Sequence, residues 1–257
     1  TSRFSLANAN RHVPAKFFNG LAANVVVGAA MLFLPSAARS ATFSVGSNIE
    51  FSNGQAPASA TTPWEKMSIS DNGPGSVIFT LTAPNLTGSE NVSEFDFNID
   101  PALSADLGKL SFTDLVKLGS FDTPTIGQGE DAFKADGDGK YDIQLLFTTG
   151  GNTSKTFTNG DSLQYTISGT GISASSFDFL STPAGGHGPF VTAAHVQNTT
   201  GAGSGGSGWV ADNTNGSISI VTVPEPSSVV LLALGFLGLV AWGRPRLRDI
   251  SRRHSAF

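Results

Sequence analysis

Val77-Ile78-Phe79-Thr80-Leu81-Thr82 puts Val77, Phe79 and Leu81 on one side of an extended chain and Ile78, Thr80 and Thr82 on the other. Successive side chains of a strand point to opposite faces, so this stretch has one face to bury and one to wet. Asp71-Asn72-Gly73-Pro74-Gly75 stands just before it, five residues that each favour a turn. Working outward, the same alternation recurs at 43–51, 95–99, 141–147, 163–167 and 218–223. Gly150-Gly151-Asn152 and Asn159-Gly160 supply further turns. Phenylalanine is the main candidate core residue, with 19 in the chain. Short alternating strands separated by turns predict an all-β domain, an antiparallel β-sandwich. Residues 105–119, with Leu107, Leu110, Leu115 and Leu118, read as a helical turn or short helix. Residues 180–211 read as a strand, a flexible Gly/Ser loop and a second strand.

Charge is distributed unevenly along the 257 residues. The first 40 hold Arg3, Arg11, Lys16 and Arg39 and no acid. The last 14 hold five arginines against Asp249. Between them, residues 41–243 carry six lysines and 19 acids, a net of −13. Such a surface repels nucleic acid and attracts cations, so nucleic-acid binding is excluded. The chain has no cysteine, which removes disulfides from the argument.

The two ends read as addresses. Arg11 and Lys16 precede an apolar stretch over 17–34, then Pro35 and the small-residue run Ser36-Ala37-Ala38-Arg39-Ser40-Ala41. That order is a signal peptide over 1–40, with a helical apolar segment and cleavage between Ser40 and Ala41. Cleavage after Ala38 and a retained anchor helix are the alternatives. At the other end, residues 227–243 lack any charge and would form a helix of about 25 Å, near the thickness of a bilayer core. The arginines over 244–257 put that side in the cytoplasm and the acidic domain, residues 41–223, outside.

Val223-Pro224-Glu225-Pro226, an apolar helix and an arginine tail containing Arg244, Arg246 and Arg248 together resemble the PEP-CTERM sorting domain of Gram-negative bacteria. The resemblance covers residues 224–257 together with Val223. It implies recognition by an exosortase after passage through the secretion machinery, with processing near Pro224, Glu225 and Pro226. It further implies a membrane-anchored precursor, a mature form at the cell surface or outside the cell, and a link to exopolysaccharide or biofilm matrix. Two prolines bar helix and sheet and keep such a strip extended.

No residue set spells out a reaction, and no catalytic residue is assigned. Asp136, Asp138 and Asp142 stand at positions 1, 3 and 7 of a glycine-bearing loop and are candidate calcium ligands. Lys140 at position 5 and Phe147 at position 12 depart from the calcium-loop pattern, and a plain β-turn is the competing reading. Gly201, Gly203 and Gly206 match a dinucleotide fingerprint in form only, since no helix pattern follows. His187 and His195 match no zinc spacing and read as a loop and a strand residue. Glu94 and Asp96 share a strand face, which suits a catalytic carboxylate pair, and the favoured reading is a solvated strand face. Three function classes follow. The first is a non-enzymatic surface or matrix protein, the second a carbohydrate-binding module, calcium-assisted or not. The third is an exopolysaccharide-modifying hydrolase. The second needs exposed aromatics, for which Trp64, Trp209, Tyr141 and Tyr165 are the candidates.

Overall fold

The computed structural model describes residues 39–136, 139–150, 155–199, 206–212 and 221–224, with the backbone alone at 39–40 and 221–224. The expected signal helix and the expected membrane helix at 227–243 lie outside the described residues. Fourteen strands are described. In chain order they are β1 (Arg39–Gly46), β2 (Ile49–Glu50), β3 (Lys66–Asp71), β4 (Ser76–Thr82), β5 (Asn91–Phe97), β6 (Ser111–Leu118) and β7 (Thr125–Ala135). They continue with β8 (Gly139–Leu146), β9 (Phe157–Thr158), β10 (Ser162–Ser168), β11 (Thr182–Pro183), β12 (Thr192–Thr199), β13 (Gly206–Ala211) and β14 (Val221–Pro224).

These strands form two antiparallel sheets. The first runs β14-β1-β3-β4-β10-β6, and the second β11-β8-β5-β12-β13-β2, with β7 on β8 and β9 on β5. The quoted stretch is β4, central in the first sheet. Its partners place Phe79 between Ile69 and Tyr165, and Leu81 between Met67 and Leu163. All of these are buried. The facing sheet contributes Val92, Phe95, Phe97, Ile143, Leu145 and Val196 to the same core. Phe79 and Phe97 stack across the gap with ring centroids 5.1 Å apart. Burying each such ring contributes roughly 1.5–3 kcal/mol, which makes this seam the main source of cohesion between the sheets. The expected turn at 71–75 is the β3–β4 connection, with Gly73 and Gly75 at φ +93° and +69°, where a Cβ is disfavoured.

Two expectations are corrected. Residues 43–51 are not one strand. The chain leaves the first sheet after Gly46 and enters the second at Ile49, because Ser47 turns to bond Glu65. Residues 105–119 split between a 3-10 helix, Pro101–Lys109, and strand β6. Asp100 caps that helix by accepting from the Ala102 N–H at 2.8 Å. Beyond Lys109 the chain pairs with β10, and the side chains of Leu115 and Leu118 lie on a sheet edge, Leu118 being 68% exposed.

Candidate functional site

The outer face of the second sheet gathers polar and aromatic side chains. Alternation along β5 turns Phe95 and Phe97 into the core and Glu94 and Asp96 away from it. Across the strands, Asp96 stands between Gln144 and Ala193, and Glu94 between Leu146 and His195. His195 in turn stands opposite Trp209. A transverse row Leu146–Glu94–His195–Trp209 results.

Asp96 is 0% exposed, which overturns the reading of Glu94 and Asp96 as a solvated pair. The outward face is itself covered here. Ala193, which stands opposite Asp96, belongs to a second apolar cluster with Phe51, Ala135, Tyr141 and Ala211, joined by Ile49, Phe133, Phe190 and Trp209. Burial holds the Asp96 carboxyl well above the usual carboxylate range, and the charge of Glu94 adds to the rise. Glu94 is raised too, by its own burial, although it accepts a hydrogen bond from the Gln144 amide. Burial and mutual repulsion both work against double ionisation of this pair.

His195 is fixed by Ser93. The Ser93 hydroxyl donates to the His195 carbonyl at 3.1 Å and lies 2.9 Å from Nδ1. A hydroxyl has one proton, so with that proton on the carbonyl it is Nδ1 that donates, and Nε2 keeps the lone pair. The contact depends on a β-bulge, for the β5–β12 register slips between His195 and Val196 and leaves Ser93 unpaired. The ring stacks on Trp209 at 5.0 Å and 20°. Burial lowers its pKa, with Asp136 pulling the other way. His187 sits elsewhere on this layer, 6.3 Å from the Phe51 ring.

Of the candidate calcium ligands, Asp138 lies outside the described residues. Asp136 ends the β7 side of the hairpin with φ +48°. Asp142 is already engaged, since Oδ1 accepts from the Asp131 N–H at 2.9 Å and Oδ2 from the Ile99 N–H at 3.2 Å. Burial raises its pKa, and the charges of Asp131 and Glu130 add to that. Among the described residues, no three His, Cys, Asp or Glu side chains are placed to hold a metal ion.

The four candidate sugar platforms divide. Trp64, Tyr141 and Tyr165 are buried. Trp64 donates from Nε1 to the Ser59 carbonyl, and Tyr165 meets Phe112 edge-on. Trp209 alone of the four keeps part of its surface open. Sequence reasoning passed over Ser93 and Glu65 and read Asp71 as a turn residue alone, because each acts through a partner at least 18 residues away.

The sorting segment joins the domain without a spacer. β14 pairs antiparallel with β1 at the edge of the first sheet, with Val223 opposite Ser40 and Pro224 opposite Arg39. Proline has no N–H to give a ladder, and an edge strand tolerates it. In the sequence Glu225 and Pro226 follow the last described strand of this all-β domain directly. The family model described as the PEP-CTERM protein-sorting motif matches residues 222–244, and the chain carries that motif. The motif marks an exported protein that exosortase processes from a membrane-anchored precursor. No curated protein and no solved structure matched the chain.

Proposed function

We propose that this chain is a surface or extracellular-matrix protein whose all-β domain works as a structural or interaction module at exopolysaccharide or biofilm, without catalysing a reaction. The observation that carries the reading is the continuity of domain and address. The matched motif starts at residue 222, inside the edge strand β14, so the folded domain is itself the cargo. The character of the outer face supports it, because Asp96 is sealed under an apolar layer and Asp142 is bonded to two backbone amides. Mass spectrometry of the native protein recovered from the cell surface tests the reading. A chain ending near Pro226 and carrying a new attachment is expected, and an intact Phe257 terminus would remove the sorting step.

A second reading, a carbohydrate-binding module, is favoured by one observation. Trp209 is partly open, is stacked on His195 and is aligned with Glu94. An indole face and a neighbouring carboxylate suit a polyhydroxylated ring. A calcium ion at Asp136, Asp138 and Asp142 would assist this reading and would share the Asp142 carboxylate with its two amides.

A further inference from the structure

The register at the edge of the first sheet brings the two processed ends of the domain together. Arg39 lies opposite Pro224, Ser40 opposite Val223, Ala41 opposite Thr222 and Thr42 opposite Val221. The bond between Ser40 and Ala41, where the signal segment is expected to leave, is therefore in the same ladder as the start of the sorting motif. One carboxylate faces that bond. Asp71, the last residue of β3, accepts on Oδ2 from the Ala41 nitrogen at 2.9 Å. Its Oδ1 accepts from the Ala174 N–H at 2.6 Å, which fixes the carboxylate in place.

We propose that Asp71 is the receptor for the mature N-terminus at Ala41, and that this cleavage frees the sorting motif from the sheet. The inference rests on the exported, sorted reading given above. Hydrolysis of the bond adds one water, leaves a carboxylate on Ser40 and converts the Ala41 nitrogen to an α-ammonium. That nitrogen already stands at hydrogen-bond distance from Asp71, so a neutral N–H donor to a carboxylate becomes an ammonium–carboxylate ion pair. β1 is thereby held from Ala41 onward. The departing segment takes Arg39 and Ser40 with it, and with them the partners of Pro224 and Val223. Thr222 and Val221 keep theirs. The ladder then ends at Thr222, and Val223-Pro224-Glu225-Pro226 starts beyond it. Cleavage after Ala38 would do neither, because the ammonium would sit on Arg39 and the motif would stay paired.

The test uses the full chain, exported in an exosortase-bearing host in three forms. One is the wild type, one has Arg-Ser inserted between Ser40 and Ala41, and one has Gly-Pro inserted there. Residues 1–40 are unchanged in all three, and the Arg-Ser form restores the lost strand partners after cleavage. The wild type is expected to begin at Ala41. The Val223 amide is expected to exchange about tenfold more slowly in the Arg-Ser form than in the other two. Asp71→Asn is expected to lower the folding constant of the wild type about fivefold more than that of either insertion form, where the Ala41 nitrogen remains an amide. A wild-type chain starting at Arg39, equal Val223 exchange in all three forms, or an equal cost of Asp71→Asn overturns the proposal. The C-terminal mass, read on the same samples, judges the sorting reading separately. An intact Phe257 on a chain that begins at Ala41 would end sorting and leave the capture of the N-terminus standing.

Discussion

The Ser47 hydroxyl donates to Glu65 Oε2 and accepts from the Glu65 N–H at 3.1 Å, while the Ser47 N–H donates to the Glu65 carbonyl at 3.0 Å. This knot sits where the chain crosses from one sheet to the other, and Glu65 is 0% exposed within it. Oε1 of the same carboxyl is buried among the described residues without a hydrogen-bond partner. Burial pushes the pKa of Glu65 up from 4.5 to about 7, against the pull of the Ser47 hydrogen bond.

A carboxyl whose pKa is raised by folding binds more protons in the folded than in the unfolded state, between the two values. The Glu65 contribution to stability therefore falls as pH rises from 4.5 toward 7, by up to about 3 kcal/mol in total, and is constant on either side. Glu65→Gln removes this slope. The unfolding free energy from urea titrations is expected to drop less between pH 4.5 and pH 8 in the variant than in the wild type, by about that amount. Equal drops would mean that Glu65 ionises as freely in the fold as outside it.

Asp96 obeys the same sign, with a folded pKa raised well above 3.8 by burial first and by Glu94 second. Its contribution is lost progressively as pH rises above the unfolded value. Asp96→Asn, which mimics the protonated form, is expected to be close to neutral at pH 5 and stabilising at pH 8. Asp96→Ala leaves a void in place of the carboxyl but also removes its titration, so its cost is expected to be smaller at pH 8 than at pH 5. Thermal melts of the three proteins at the two pH values decide it.

The buried state of Asp96 also marks the limit of what the sequence could say. Period-2 alternation made β4, β5, β8 and β10 legible, because each has one face in the core. Alternation identifies the outward face of a strand but not what lies over it. Phe51 and Phe190, far from β5 in sequence, cluster with Ala193, the cross-strand neighbour of Asp96, and no local pattern announces them. Residues 43–51 failed for a related reason. Their alternation continues through a crossing between sheets, since Val45 and Phe51 are both buried but in different clusters. The two histidines were legible as a loop and a strand residue. The bond from Ser93 to His195 was not, because it depends on a bulge that slips the register by one residue.

Asp142 accepts two backbone amides, so removing its carboxylate is expected to cost about 1–3 kcal/mol with no cation present. A calcium ion at Asp142 would share its carboxylate with those two amides. The melting temperature of the chain is expected to be unchanged between chelator and millimolar calcium. A ligand at a hundredfold its dissociation constant would add about 2.7 kcal/mol and move the melt by several degrees. A shift of that size, lost in Asp136→Asn, would establish the calcium site instead.

Trp209 offers the sharpest test between the two functional readings. It is stacked on His195 at 5.0 Å and partly open, whereas Trp64 is buried and bonded to Ser59. A sugar ring docking on the outer face would change the environment of Trp209 and leave Trp64 as an internal reference. Titration with the host's own exopolysaccharide is expected to shift the indole emission of the carbohydrate-binding form. Trp209→Phe would abolish the shift, and Trp209→Ala would weaken binding at least tenfold, since aromatic platforms carry much of the contact area in such sites. His195→Gln removes the stacked ring and should weaken binding less. An emission spectrum that stays fixed across the titration, together with retention of Trp209→Ala in the matrix at wild-type levels, would leave the structural reading alone in place.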